Sequence, residues 1–283
     1  MIAQTPDLTA GLYLVAVPIG ASRDITLRAL DILATADVLA AEDTRSLRRL
    51  MDIHAIPLNG RQVLSYHDHN GGRVRPRLLA EMAAGKSVAY AAEAGTPMIA
   101  DPGYDLAQAA RDEGHAVTAA PGASAVLTAL MLGGLPTDRF LFAGFLPSAS
   151  GARKSALLAE RETAATLAFY ESPNRIAATL RDAAAVLGGD RPAALCRELT
   201  KRFEEIRRGT LDELARSCVE TPPKGEIVLL IGKGDSGTIN ETDLETVLKA
   251  ALGTMSVRDA ADNVAARFNL PRRKVYQLAL KLG

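Results

Sequence analysis

Two cysteines, Cys196 and Cys218, are all the thiol this 283-residue chain carries. A disulfide-stapled scaffold is excluded, because such frameworks use more cysteines at regular spacings, and both are read as buried and reduced. Net charge is also lacking, since 33 basic residues balance 33 acidic ones. A nucleic acid partner therefore has to be met by a local basic patch rather than an overall field. No apolar run nears the roughly 18 residues that span a bilayer, and the start, MIAQTPDLTAG, lacks the basic segment and apolar core of a secretory leader. The expectation is a cytoplasmic protein with no membrane association. Familiar chemical motifs are missing as well. There is no G-x-G-x-x-G after the first strand, no Walker loop, and no G-x-S-x-G around Ser124. Ordinary dinucleotide, phosphate-loop and serine-hydrolase chemistries lose ground accordingly.

What is present is a globular composition, 48% apolar and 23% charged, on a chain long enough for two lobes. Short apolar runs at 12–17, 38–41, 87–92, 116–120, 140–145, 166–170, 193–196 and 226–232 read as buried strands. Helical patterns lie between them. Ile25, Ala29, Ile32, Leu33 and Ala36 share one helical face, with Asp24 available as a cap, and Gly85 and Gly114 stand where helices stop before new strands. Alternating strand and helix predict an α/β protein. GGLPTDRF (133–140) marks a lobe boundary there or slightly before, giving an N-terminal lobe over 1–122 and a second over 123–234. The polar KGDSGTINETD reads as a linker to a small helical unit over 240–283. Within it, Ala260, Ala261, Val264 and Phe268 share a face, Asn269 can cap the end, and Pro271 starts the next helix, as in a helix-turn-helix. Arg272, Arg273, Lys274 and Lys281 on that second helix suit phosphates, or equally a solvated helix that only caps the fold.

In parallel α/β sheets ligands bind beyond the carboxyl ends of the strands. The loops there are VPIGASRD (17–24), EDTR (42–45), SYHDHN (65–70), EAGTPMIADPG (93–103) and PGAS (121–124). Glycines in them admit close backbone approach, and prolines stiffen them, so little entropy is lost on binding. Plain turn chemistry explains any one of these loops but strains to explain five in succession. His67 and His69 have no further ligand at useful spacing, so RNA contact or hydrogen bonding is favoured over a metal site. GGRVRPR (71–77) reads as a flexible basic edge or, more simply, as a solvated helix start.

Taken in order, LYLVAVPIG, DITLRALDILATADVLAAEDTR, SYHDHN, EAGTPMIADPGY, PGAS, LPTDRFLFAGFLP, FYESPNR, RELTK and RGTL resemble the tetrapyrrole methylase family, in its bacterial branch acting on cytidine 2′-oxygens of small-subunit rRNA. The resemblance covers nearly all of residues 12–232. It implies two α/β lobes with S-adenosylmethionine folded into the cleft between them, usually as a homodimer, acting on 16S rRNA within the small ribosomal subunit. By the same resemblance Pro18, Gly20, Glu93, Gly95, Thr96, Pro97, Pro121, Gly122 and Ser124 line the cofactor, with backbone groups reading its adenine and methionine ends. The family more often carries Thr at Val17, Gly-Asn at Gly20-Ala21, Ser-Asp at Ala92-Glu93, Pro at Ala123 and His at Asn174. A decoding-centre cytidine is implied by the family alone.

Transfer to a ribose oxygen is an in-line displacement that gains from alignment and from a general base. The candidate bases are Asp101, Glu171, and Asp43 or its neighbour Glu42; Asp43, beside Arg45, reads equally well as a helix cap. Arg45, Arg175, Arg197 and Lys201 suit phosphates, His67 and His69 suit RNA, and Tyr66 and Tyr170 suit stacking on a displaced base. The rival readings are a methylase for a tetrapyrrole or a modified protein side chain, and a non-catalytic RNA-binding factor.

Overall fold

The computed structural model describes residues 7–233, 241–268 and 270–282. The first lobe is built on a parallel sheet of β1 (Gly11–Val15), β2 (Val38–Ala41), β3 (Val63–Ser65), β4 (Ser87–Ala91) and β5 (Val117–Ala120), in the order β3-β2-β4-β1-β5. Helices α1 (Leu27–Thr35) and α2 (Thr44–Ile53) bury Ile32, Leu33, Leu47 and Met51 on one face. On the other, α3 (Gly71–Ala83) and α4 (Tyr104–Asp112) bury Leu78 and Leu106. The cap of α1 is Thr26, whose hydroxyl accepts from Ala29 N at 3.2 Å, and not Asp24, which is held in a preceding 3₁₀ turn. GGRVRPR is the start of α3. Gly85 and Gly114 both follow helices with positive φ, 84° and 80°.

The second sheet is mixed. It contains β6 (Phe140–Phe145), β7 (Thr166–Glu171), β8 (Pro192–Arg197), β9 (Glu205–Thr210) and β10 (Ile227–Ile231), in the order β6-β7-β10-β8-β9. The central β10 runs antiparallel to both β7 and β8. One face carries α6 (Ser150–Ala159), α7 (Ile176–Leu187) and α8 (Leu211–Glu220), and the other carries α5 (Ala125–Gly133). Arg208 donates to the carbonyls of Leu132 and Gly133 at the end of α5, satisfying acceptors that a helix terminus leaves open. Gly133 lets α5 press on the sheet, since a Cβ there would lie 2.5 Å from Leu230 Cδ1.

Strands β3 and β9 escape the apolar-run reading for different reasons. The first is three residues long, and the second, EIRRGT, is a half-exposed edge strand carrying charge. The C-terminal unit is α9 (Glu241–Leu252), α10 (Val257–Arg267) and α11 (Arg272–Leu282), packed on its own core of Leu248, Ala261, Val264, Val275 and Ala279. Asn269 and most of the linker, residues 234–240, lie outside the described residues.

Candidate active site between the lobes

Because the first sheet is parallel, its strands all deliver their following loops to one edge. Three of those loops are stitched together. Val17 and Gly95 exchange backbone hydrogen bonds of 2.9 and 3.0 Å, and Thr96 Oγ1 donates to Ala123 O at 2.9 Å. Gly95, at φ 74°, sits where a Cβ would lie 3.1 Å from Ile19 Cγ2. The second lobe meets this edge through the loop after β8, with Ala21 N donating to Thr200 Oγ1 at 3.1 Å. Gly20 permits the contact, because a Cβ there would fall 2.6 Å from Lys201 Cγ and 2.7 Å from Thr200 Oγ1. A cleft of about 680 Å³ opens between the lobes, within the range usual for small-molecule sites.

Two of the loops that line it hold side-chain-bearing residues in the left-handed region. Met98 and Ala100 have φ of 72° and 60° on one wall, and Glu198 and Thr200 have φ of 50° and 62° on the other. Such conformations cost energy and persist only where their surroundings enforce them. Tyr90 OH donates to Pro102 O at 3.1 Å and its ring fills the space that a Gly103 side chain would need. Opposite, Glu198 Oε1 accepts from Glu226 N at 3.0 Å and from Lys201 Nζ at 3.2 Å, and Lys201 also reaches Glu226 Oε2 at 2.7 Å.

Asp101 is the electrostatic centre of the cleft. Burial, then the nearby charges of Glu42 and Glu93, raises its carboxyl to about 7. Its carboxylate accepts no hydrogen bond among the described residues. Tyr170, on the second wall, is pushed up to about 12 by burial and by the charge of Asp101. Glu171 is differently placed: Oε2 accepts from Thr179 Oγ1 at 2.6 Å, Oε1 accepts from Ser172 N at 2.8 Å, and Arg175 Nε stands 3.1 Å from Oε1. A carboxylate held at both oxygens anchors β7 to α7.

The cleft thus gathers Gly95, Thr96 and Asp101 from the first lobe with Ser124, Tyr170, Glu171 and Lys201 from the second. Both backbone polar groups of Gly95 are spent on Val17, so it supplies room rather than a reading contact. Pro18, Gly20 and Glu93 line a separate groove of about 170 Å³ beside α2, Pro97 is buried beneath its loop, and Pro121 and Gly122 are exposed. Asp43 is the cap of α2, accepting from Arg45 N and Ser46 N, and Arg45 holds its carboxyl below the usual range, the reverse of what a base needs. Arg45 itself remains open to solvent. Arg175 and Arg197 donate to Leu146 O and Lys224 O and pair with Glu171 and Glu205, so neither is free for phosphate. The His67 and His69 rings stand edge to face at 6.0 Å, while Tyr66 is buried against Tyr90. Sequence reasoning missed Phe145, Ile99, Glu198 and Glu226, all on the cleft wall. Only Gly144, a glycine inside a strand, hinted at the first of these.

A family description, Tetrapyrrole (Corrin/Porphyrin) Methylases, matches residues 11–215. The chain belongs to this family. It is a methyltransferase that uses S-adenosylmethionine, which removes the non-catalytic reading. A second description, RsmI C-terminal HTH domain, matches residues 239–283. The chain is 44% identical, over its whole length and 97% of the relative, to Ribosomal RNA small subunit methyltransferase I of Mesorhizobium japonicum. With the protein of that name from Haemophilus influenzae it shares 40% identity over 97% of this chain and 98% of the other. Among solved structures, uroporphyrin-III C-methyltransferase from Thermus thermophilus complexed with S-adenyl homocysteine superposes with a TM-score of 0.55 at 21% identity, covering 78% of this chain and 97% of that one. A diphthine synthase gives 0.58 at 15% identity, covering 78% and 89%. At these identities the two structures speak for the fold alone.

Proposed function

We propose that this chain methylates the 2′-oxygen of a cytidine ribose in 16S rRNA, at the decoding centre of the small ribosomal subunit. The observation that carries the chemistry is Asp101, a carboxyl poised near neutrality and, among the described residues, without a hydrogen-bond partner, on the wall of the inter-lobe cleft. Full-length similarity to proteins named for small-subunit rRNA methylation supports the acceptor.

The cofactor fits this cleft: the corner of Gly95, Ser124 and Ala125 leaves room beside the Ile19 wall, and the volume suits a molecule of that size. Thr96, Ser124 and Ala125 would hold it, in the room that Gly95 leaves. When bound, S-adenosylmethionine supplies a methyl group activated by a positively charged sulfur. Asp101 takes the proton of the ribose 2′-hydroxyl at a carboxylate oxygen, a role whose efficiency is greatest when the base titrates near the working pH. Lys201, tied to Glu198 and Glu226, fixes the far wall and so the distance across which the reactants align. Pro18, Gly20 and Glu93 support this arrangement from behind, through the groove beside α2.

The working form is a homodimer. Leu127 and Met131, one turn apart on α5, are 52% and 82% exposed, an apolar stripe that a second copy would cover. Among the described residues no helix is long and apolar enough to cross a membrane, which is consistent with a cytoplasmic place beside the ribosome.

The deciding experiment is transfer of labelled methyl from S-adenosylmethionine to small subunits taken from cells lacking this gene, with bare rRNA and a tetrapyrrole precursor as parallel acceptors. Label mapped by mass spectrometry to a cytidine ribose supports the proposal. Label on the tetrapyrrole alone overturns the acceptor and leaves the family intact.

A further inference from the structure

Strand β6 is an edge strand with the sequence FLFAGF. Strict alternation would put Phe140 and Phe142 on one face and Phe145 on the other. The pairing with β7 prevents this. Phe142 stands opposite Ala168 and Phe145 opposite Tyr170, so three steps on β6 match two on β7, and Gly144, at φ 64°, takes up the extra residue. Bulges of this kind re-aim side chains and recur beside active sites. Here the result is that both phenylalanines reach the same tyrosine. The Phe142 and Phe145 rings lie 4.9 and 5.5 Å from the Tyr170 ring, tilted by 62° and 63°.

Phe142 and Tyr170 are partly buried and rigidly backed, whereas Phe145 lines the cleft and is 59% exposed. What sets Phe145 apart from other exposed apolar residues is that its ring is held in place by two further rings and opens into the cleft. The small-residue corner at Gly95 and Ser124 lies beside the 93–103 loop, whose Thr96 is bonded to Ala123, on the same wall as Asp101 and the 39%-exposed Ile99. The aromatic wall is left for the other reactant. Bases drawn out of an RNA stack find their place on aromatic side chains, because every base presents a π-face.

We propose that the exposed face of Phe145, buttressed by Tyr170 and Phe142, is the platform on which the base of the acceptor nucleotide stacks, presenting its ribose to the Asp101 wall. The inference rests on the reading of rRNA as the acceptor. It makes Phe145 a residue that touches substrate and leaves cofactor binding to the opposite wall.

The test uses the full-length protein with Phe145→Ala, Phe145→Leu and Phe145→Trp, each assayed for methyl transfer to unmodified small subunits and for S-adenosylmethionine affinity by calorimetry. Loss of a stacked base costs on the order of tenfold or more. Ala and Leu variants are therefore expected to lose at least that factor in kcat/KM with unchanged cofactor affinity, while Phe145→Trp stays within a few-fold of the parent. The chain contains no tryptophan, so Phe145→Trp places a single indole at the site, and its emission is expected to change when small subunits are added. Full activity of Phe145→Ala overturns the proposal. So does a loss matched by weaker cofactor binding, or a change of oligomeric state on sedimentation, which would assign the ring to the cofactor or to a protomer interface. Failure of the unmutated protein to label small subunits overturns the acceptor reading instead, a result visible before any variant is made.

Discussion

Asp101→Asn should make the protein more stable and far less active, and the two effects should have different pH dependences. Raising the carboxyl from 3.8 to about 7 corresponds to roughly 4 kcal/mol of differential cost for the charged form. Asp101 keeps partial access to solvent, which reduces this to about 2 kcal/mol. The folded chain holds the Asp101 proton more tightly than the unfolded chain does, so the cost is absent below pH 3.8, grows as pH rises from there to about 7, and is constant above. An asparagine has the shape of the protonated acid and never ionises. In urea titrations the variant should match the parent near the bottom of that window and exceed it by about 2 kcal/mol at pH 8. Activity runs the other way. The parent's kcat/KM should rise with pH and level above about 7, and the asparagine should lower it by roughly 10²–10⁴-fold. Glu42→Gln removes one of the charges that raise Asp101, so the rising limb should move to lower pH. Equal stability of parent and Asp101→Asn at pH 8, or the same rising limb in Asp101→Asn, would refute the assignment.

Gly20→Ala drives a methyl to 2.6 Å from Lys201 Cγ and should cost roughly 1–3 kcal/mol while weakening S-adenosylmethionine binding, measured by thermal melts and calorimetry. Glu171→Gln removes the charge that faces Arg175 and disturbs the bond from Thr179; the expected loss is roughly 2 kcal/mol in urea unfolding, with cofactor affinity nearly unchanged. Ending the chain after residue 233 removes a unit with its own apolar core, so the two lobes should still fold and bind cofactor with parental affinity. Any fall in affinity for small subunits then reports what α9, α10 and α11 contribute to docking.

Most of the strands and the two-lobed organisation were legible because buried strands of α/β proteins read as apolar runs, such as LYLVAV and EIVLLIG. β9 was not, since an edge strand with one face open tolerates EIRRGT. At the site, loop composition pointed to Gly95, Thr96, Asp101 and Ser124, because glycine, proline and carboxylates after a strand have few other uses in such number. Charged residues were less readable. Arg175 and Arg197 look like phosphate ligands in sequence, yet each is tied to a carbonyl more than 25 positions away in the chain, a partner that spacing cannot reveal. Phe145 was hidden for a related reason: its direction is set by an irregularity in pairing with β7, and alternation along β6 alone gives the opposite face.

The order of strands in the second sheet has a consequence for how the protein is made. The first sheet uses only residues 11–120, so all its strands are synthesised before any strand of the second. In the second sheet the pairs β6-β7 and β8-β9 are joined by hydrogen bonds through β10, which is the last of the described strands to be synthesised. Until residue 231 emerges, those two pairs have open, hydrogen-bond-hungry edges facing one another, a state prone to wrong pairing. The wall at Gly225–Val228 is missing for as long. A nascent chain halted between β5 and β10 therefore carries every strand of its first sheet beside an unfinished second, and the cleft gains its last wall in one late step.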